Sequence, residues 1–180
     1  MIKFHKAKIK EVADIKKLLH ESWVCTFSDI YSPEVIEIAT SVWHSPELLT
    51  KQIQDPDTFF MVAVDNKRIV GICSAGLTQS GKVINIQKLH ISASHHRQGI
   101  GSRLIKEIIK AFPKASKVDL EVEKQNHGAL AFYQKHEFKV VGKRVLKVNN
   151  IHMPCLVMEK QFKKNVHIYY LNNVNPCGER

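Results

Sequence analysis

Two stretches of this chain place chemically useful residues at telling intervals. The first is His95-His96-Arg97-Gln98-Gly99-Ile100-Gly101-Ser102-Arg103, set between an apolar strand pattern and an apolar helix pattern. Glycines at such a junction let the backbone turn sharply and aim successive N–H groups at one anion. The helix N-terminus that follows adds roughly half a positive charge. Arg97, Arg103 and Lys106 add more, and a pyrophosphate would suit the place. A dinucleotide fingerprint would need a small residue three places beyond Gly101, where Leu104 stands. A Walker A loop would need Gly-Lys-Ser/Thr, and Gly101 is followed by Ser102-Arg103. A plain tight turn from strand to helix remains the competing reading.

The second stretch runs from Leu120 through Glu121, Val122, Glu123 and Asn126 to Phe132, Tyr133 and Phe138. Asn126 has the residue type that caps a helix. On that helix Ala129, Phe132 and Tyr133 share a face, with Phe132 expected to pack and Tyr133 to reach the edge of a site. Strand alternation puts Glu121 and Glu123 on one face, where either could serve as a base or simply be solvated. His90, His95 and His96 cluster without a carboxylate or cysteine at ligand spacing, so no metal is expected.

The elements that must hold these residues follow from the periodicity. Residues 2–9 read as a strand, and Val12, Ile15, Leu18, Leu19 and Trp23 as one helical stripe. Residues 33–54 form a second helical region broken near Pro46. Strands over 59–64 and 68–77 make a hairpin, and 83–91 is a further strand. A helix opens at Gly99 and ends before Pro113, a strand covers 118–122, and a helix runs from Asn126 to about His136. A last hairpin, 138–148 and 151–162, turns at Asn149-Asn150. This order predicts one α+β domain over residues 1–162. A tail, 163–180, could add an edge strand, contact a partner subunit in a homodimer, or be loose.

Composition narrows the function classes. The chain has 180 residues, 44% of them hydrophobic, enough for one domain with a real core. The net charge is +10, from 27 Lys and Arg against 17 Asp and Glu. No helix-turn-helix, zinc-finger or RNP pattern accompanies that charge, so nucleic acid is not the expected partner. A polyphosphate ligand would make some of the charge useful. No run of 18 apolar residues suggests a membrane span. Cys25, Cys73, Cys155 and Cys177 form no C-x-x-C pair, and the first residues lack a signal-peptide core. Reduced thiols and a cytoplasmic location are expected.

With both stretches in view, the chain resembles the GNAT N-acetyltransferases. That superfamily pairs an Arg/Gln-x-x-Gly-x-Gly/Ala loop with a later Asn-x-x-Ala-x-x-Phe-Tyr-x-x-x-x-Phe helix. Both occur here in order, about 30 residues apart, as His96, Gly99 and Gly101 and then Asn126, Ala129, Phe132, Tyr133 and Phe138. The N-terminal part, with Trp23 and its long helical stretch, looks most like bacterial spermidine/spermine acetyltransferases.

The resemblance implies a central mixed, mostly antiparallel sheet flanked by helices, and acetyl-CoA as cosubstrate. Leu89, His90 and Ile91 would hold the pantetheine arm through their main chain. His96, Arg97, Gln98, Gly99, Ile100, Gly101 and Ser102 would hold the pyrophosphate. Asn126 and Phe132 would complete the cofactor site, and Tyr133 would lie by the thioester sulfur as the catalytic residue. The acceptor would be a small amine such as a polyamine, with Asp29, Glu34, Glu37 and Glu47 as candidate acidic contacts. Alternatives are a protein N-terminal or lysine acetyltransferase and a non-catalytic module that binds coenzyme A. His96 departs from the usual Arg or Gln, Glu137 from a frequent Gly, and Asn85 from a glutamate base seen in some relatives. For the proton-accepting base, Glu121, Glu123 and Glu21 all remain candidates.

Overall fold

The computed structural model describes residues 1–162; the expected tail, 163–180, lies outside them. Its elements in chain order are β1 (Lys3–Lys6), α1 (Val12–Phe27), α2 (Pro33–Trp43), α3 (Pro46–Gln54), β2 (Thr58–Asp65), β3 (Arg68–Leu77) and β4 (Val83–Ile91). After β4 come α4 (Ile100–Ala111), β5 (Lys117–Glu123), α5 (His127–Lys135), β6 (Lys139–Val148) and β7 (Ile151–Gln161). The strand expected over 2–9 is shorter, because the chain leaves the sheet for a single 3-10 turn, Ile9–Glu11. The long helical region divides cleanly. Ser32 and Ser45 each cap a new helix and each is followed by a proline, which is at home in a first turn.

The strands form one seven-stranded sheet in the order β1-β2-β3-β4-β5-β7-β6. Every neighbouring pair is antiparallel except β4 with β5. β7 inserts between β5 and β6, a long-range choice that no local pattern dictates. On one face α4 and α5 pack over Cys73, Ile84, Ile86, Leu120 and Val122. On the other, α1 and α3 cover Phe60, Val62 and Ile72. A third cluster joins Trp23 and Phe27 of α1 with Ile36 and Ala39 of α2 to Val148 and Met153 at the tip of the β6–β7 hairpin. The α1–α2 pair therefore reaches across the sheet from β3 to β7. Among the described residues no helix is long and apolar enough to cross a membrane.

The feature that positions the site is a parting of two strands. β4 and β5 pair only over Val83–Ile86 and Lys117–Leu120. Immediately after, the β3–β4 register slips: Ser74 faces Lys88 while Ala75 faces Ile86, so Gln87 is an extra residue. Such a bulge bends and twists its strand, and this one turns β4 away from β5. Residues 87–91 of β4 and 121–123 of β5 then flank a wedge with no shared ladder.

Candidate active site

The wedge has two walls of different chemistry. Below it lies the turn from β4 into α4. Gly99 takes a left-handed conformation, φ +80°, at the N-cap of α4, and Arg97 is also left-handed, φ +60°. A Cβ on Gly99 would meet nothing within 4 Å, so the glycine is favoured by its backbone angle and not by packing. Arg103 N–H is the first to bond within the helix, to Gly99 C=O. The N–H groups of Ile100, Gly101 and Ser102 point out of the helix N-terminus, free for an anion. A Cβ on Gly101, by contrast, would stand 3.0 Å from the Phe132 ring. Gly101 serves the close packing of α5 on α4, and Phe132 is the residue packed there. Ser102 Oγ shares a 2.9 Å hydrogen bond with His136 Nε2, which ties the same two helices.

The histidines of this stretch go to separate partners. His96 Nε2 lies 3.0 Å from Ile91 C=O, bracing the turn against the end of β4. This side chain is a strut between loop and strand, which accounts for a residue other than Arg or Gln at that place. His95 meets Ser94 Oγ and, at 3.5 Å, Asp65. His90 Nδ1 meets Ser22 Oγ on α1. Gln98 Nε2 donates to Ser94 C=O.

Tyr133 closes the same wall. The expectation that Tyr133 reaches an edge while Phe132 packs is reversed in burial: Tyr133 is 8% exposed and Phe132 is half-buried. The reason is the helix phase, which turns Tyr133 toward the sheet, against Phe138 and Phe132 and within the cluster holding Cys73, Val122 and Leu89. Its hydroxyl has no hydrogen-bond partner among the described residues. Burial, with a smaller effect from the Cys73 thiol, raises its pKa and keeps it protonated. Asn126 Oδ1 accepts from Ala129 N–H at 3.0 Å, capping α5 as expected.

The opposite wall, toward α1 and α2, was largely missed by sequence reasoning. A row of rings crosses the wedge there. Tyr31 lies 6.0 Å from Phe27, Phe27 4.8 Å from Trp23, Trp23 5.7 Å from His44, and His44 5.9 Å from His90 on β4. At the β5 end, Tyr31 Oη donates to Glu123 at 3.2 Å. Two buried nitrogens in the row, Trp23 Nε1 and His44 Nδ1, have no partner among the described residues. Burial, helped by nearby His90 and Lys88, lowers the His44 pKa to about 2. Burial, then Lys88, lowers that of His90 to about 4. Both are neutral imidazoles at pH 7. Lys88 is itself buried, bonds Gln52 Oε1 at 2.9 Å, and has its pKa lowered to about 8. One signal was available in the sequence: the apolar phase Ile84, Ile86 slips by one residue to Leu89, Ile91, which marks the bulge and puts Lys88 inside.

The carboxylates sort themselves. Glu121 and Glu123 do share a face of β5, toward α1 and α2. Glu121 is ion-paired with Arg144. Glu21 is exposed and lines a shallow groove with Lys10, Lys17 and His20, away from the wedge. Glu34 and Glu47 sit in the first turns of α2 and α3 on fully exposed ground, bonded to Ser32 and Ser45. Glu37 lies 3.8 Å from His20, and Asp29 is exposed. Asn85 Nδ2 donates to Asp119 at 2.7 Å within the paired part of β4 and β5. No group of three or more His, Cys, Asp or Glu side chains gathers for a metal among the described residues. The two buried thiols are poor nucleophiles: burial raises Cys73 to about 12 and Cys155 to about 11.

The wedge thus offers unpaired main chain on β4, an anion-holding turn and a protonated phenol on one wall. The other wall offers carboxylates and aromatic rings. Such a site can hold an extended phosphorylated ligand and present its end to a second substrate. Comparison with known proteins agrees. Residues 14–138 match the Acetyltransferase (GNAT) family. The chain is 26% identical over 145 residues to a spermidine N(1)-acetyltransferase of Thermoplasma acidophilum, covering 77% of this chain and 89% of that one. It is 27% identical over 103 residues to the N-alpha-acetyltransferase RimI of Mycobacterium tuberculosis, covering 55% and 63%. Among solved structures, the PaiA N-acetyltransferase of Thermoplasma acidophilum in complex with coenzyme A superposes with a TM-score of 0.78 at 24% identity, covering 90% and 99%.

Proposed function

The chain belongs to the acetyltransferase (GNAT) family, N-acetyltransferases that use acetyl-CoA, and from that premise we propose that it acetylates a small amine, a polyamine in preference to a peptide. The observation that carries this reading is the wedge between β4 and β5, with an anion-holding turn and a phenol on one side and a carboxylate-and-ring wall on the other. The pyrophosphate of acetyl-CoA lies on the main chain of residues 97–102. The pantetheine arm runs along Leu89, His90 and Ile91, with Asn126 and Phe132 bordering it.

The reaction is direct attack. An alkylamine, pKa near about 10.4, must first lose a proton. That proton leaves through water toward Glu121 on β5. The amine nitrogen adds to the thioester carbonyl, the tetrahedral intermediate collapses, and the C–S bond breaks. Tyr133, held protonated by burial, gives its proton to the departing thiolate. No cysteine need carry the acetyl group.

The curated relative from Thermoplasma supports the polyamine reading, and the RimI relative supports a peptide N-terminus as the second. Thiol release from acetyl-CoA with spermidine and with a lysine or N-terminal peptide separates them. Higher kcat/KM is expected for spermidine; a clear preference for the peptide overturns the proposal.

A further inference from the structure

One carboxylate of the wedge has no charge partner among the described residues. Glu123 is 7% exposed, the only buried Asp or Glu among the described residues. It accepts from Tyr31 Oη at 3.2 Å and from Gln125 N–H at 2.5 Å. No Lys, Arg or His of the described residues pairs with it. This contrasts with its peers in a chain of net charge +10. Glu11 has His5, Glu107 has Arg103, Glu159 has Lys117, and Glu121, two residues away on the same face, has Arg144. A buried anion is normally paired, because taking it from water uncompensated is costly.

Glu123 ends β5 at the mouth of the wedge, and Tyr31 connects it to the ring row of Phe27, Trp23 and Trp43. Aromatic faces attract an alkylammonium and accept its methylene chain. Trp23 Nε1 and His44 Nδ1, buried polar atoms in this row, have no partner among the described residues. The two imidazoles at the β4 end of the row are neutral, and the cation at that end, Lys88, is held by Gln52.

We propose that Glu123 is the specificity anchor of the acceptor site. With Tyr31 it holds a second, non-reacting ammonium, and the enzyme therefore prefers diamines and longer polyamines to monoamines of equal reach. This rests on the acetyl-transfer reading above. Glu123 does not accept the reacting proton in this scheme; it fixes the far end of the substrate.

The test compares 1,4-diaminobutane with butylamine at saturating acetyl-CoA, following thiol release. Wild-type enzyme should show a KM for the diamine at least about tenfold below that for butylamine. Glu123→Gln, which keeps shape and loses charge, should raise the diamine KM at least about tenfold, equivalent to about 1.4 kcal/mol. It should leave kcat and the butylamine KM nearly unchanged. Glu123→Asp should fall between the two. In wild-type enzyme, added salt should raise the diamine KM more than the butylamine KM, a measurement that needs no variant. Equal loss of kcat for both amines in Glu123→Gln would make Glu123 the base and overturn the anchor, as would an unchanged diamine KM. Wild-type enzyme that acetylates a peptide but neither amine would overturn the small-amine reading itself.

Discussion

The two walls of the wedge are built on opposite principles. The α4–α5 wall is made of main chain and close packing: a left-handed glycine, free helix N–H groups, and a tyrosine locked among Phe132, Phe138 and the sheet. The α1–α2 wall is made of side chains held against their solvation preference: a buried Lys88, neutral His44 and His90, and the buried carboxylate of Glu123. A ligand shared by a whole family can be met by backbone geometry, which few residues specify. A ligand peculiar to one member has to be met by particular side chains, and those carry strained electrostatics. The difference teaches where to look for each half of the reaction.

Breaking the first wall should have the largest effect on rate. Tyr133→Phe keeps the ring that packs on Phe138 and removes the proton. Since general acid catalysis is worth about 10²–10⁴-fold, kcat should fall at least about tenfold. Acetyl-CoA affinity and melting temperature should stay close to wild type. Normal kcat with lost stability would make the hydroxyl a structural group only. Next in size is Gly99→Val, which forces a β-branched residue into φ +80° and reshapes the turn. The acetyl-CoA Kd, measured by titration calorimetry, should rise about tenfold or more. Unchanged binding in the folded variant would detach the turn from the cofactor.

The smallest effect at neutral pH is expected for the two buried histidines of the second wall. His44 and His90 have folded-state pKa values below their ordinary 6.5. Their contribution to stability is therefore complete above pH 6.5 and is lost as pH falls toward about 4. Each imidazole accounts for up to about 1.4 kcal/mol per pH unit in that window. The melting temperature should drop between pH 6.5 and 4, and His44→Phe should make the drop shallower while leaving it unchanged at pH 7.5. An identical acid slope in the variant would show that other groups set it.

The sequence made the first wall legible and the second nearly invisible. Gly99, Gly101, Asn126 and Tyr133 form fixed-spacing patterns because a turn and a helix fix their relative positions locally. Trp23 falls on the apolar stripe of α1 and is buried; that its ring row with Phe27 and Trp43 also spans the wedge depends on α1–α2 crossing the sheet to the β6–β7 tip. Alternation placed Glu121 and Glu123 on one face, but only β6 packing beside β7 brings Arg144 to Glu121 and leaves Glu123 alone. Of the acidic residues named for a cationic acceptor, Glu34 and Glu47 sit in helix first turns on exposed ground, a placement that residue type alone does not reveal.

The parting of β4 and β5 also has a mechanical side. Four residue pairs join the strands from β1 to β4 with those from β5 to β6. This seam is the shortest ladder inside the sheet; the other interior pairs run over seven or more positions. The molecule is in effect two plates stitched along a short hem, with α4 below and α1–α2 above acting as straps. Local opening concentrates where ladders are few. A ligand seated in the wedge grips both plates beyond the end of the hem, so its binding energy is spent partly on holding the halves together. Residues that never touch the ligand, Val83 to Ile86 among them, thereby share in its stabilisation.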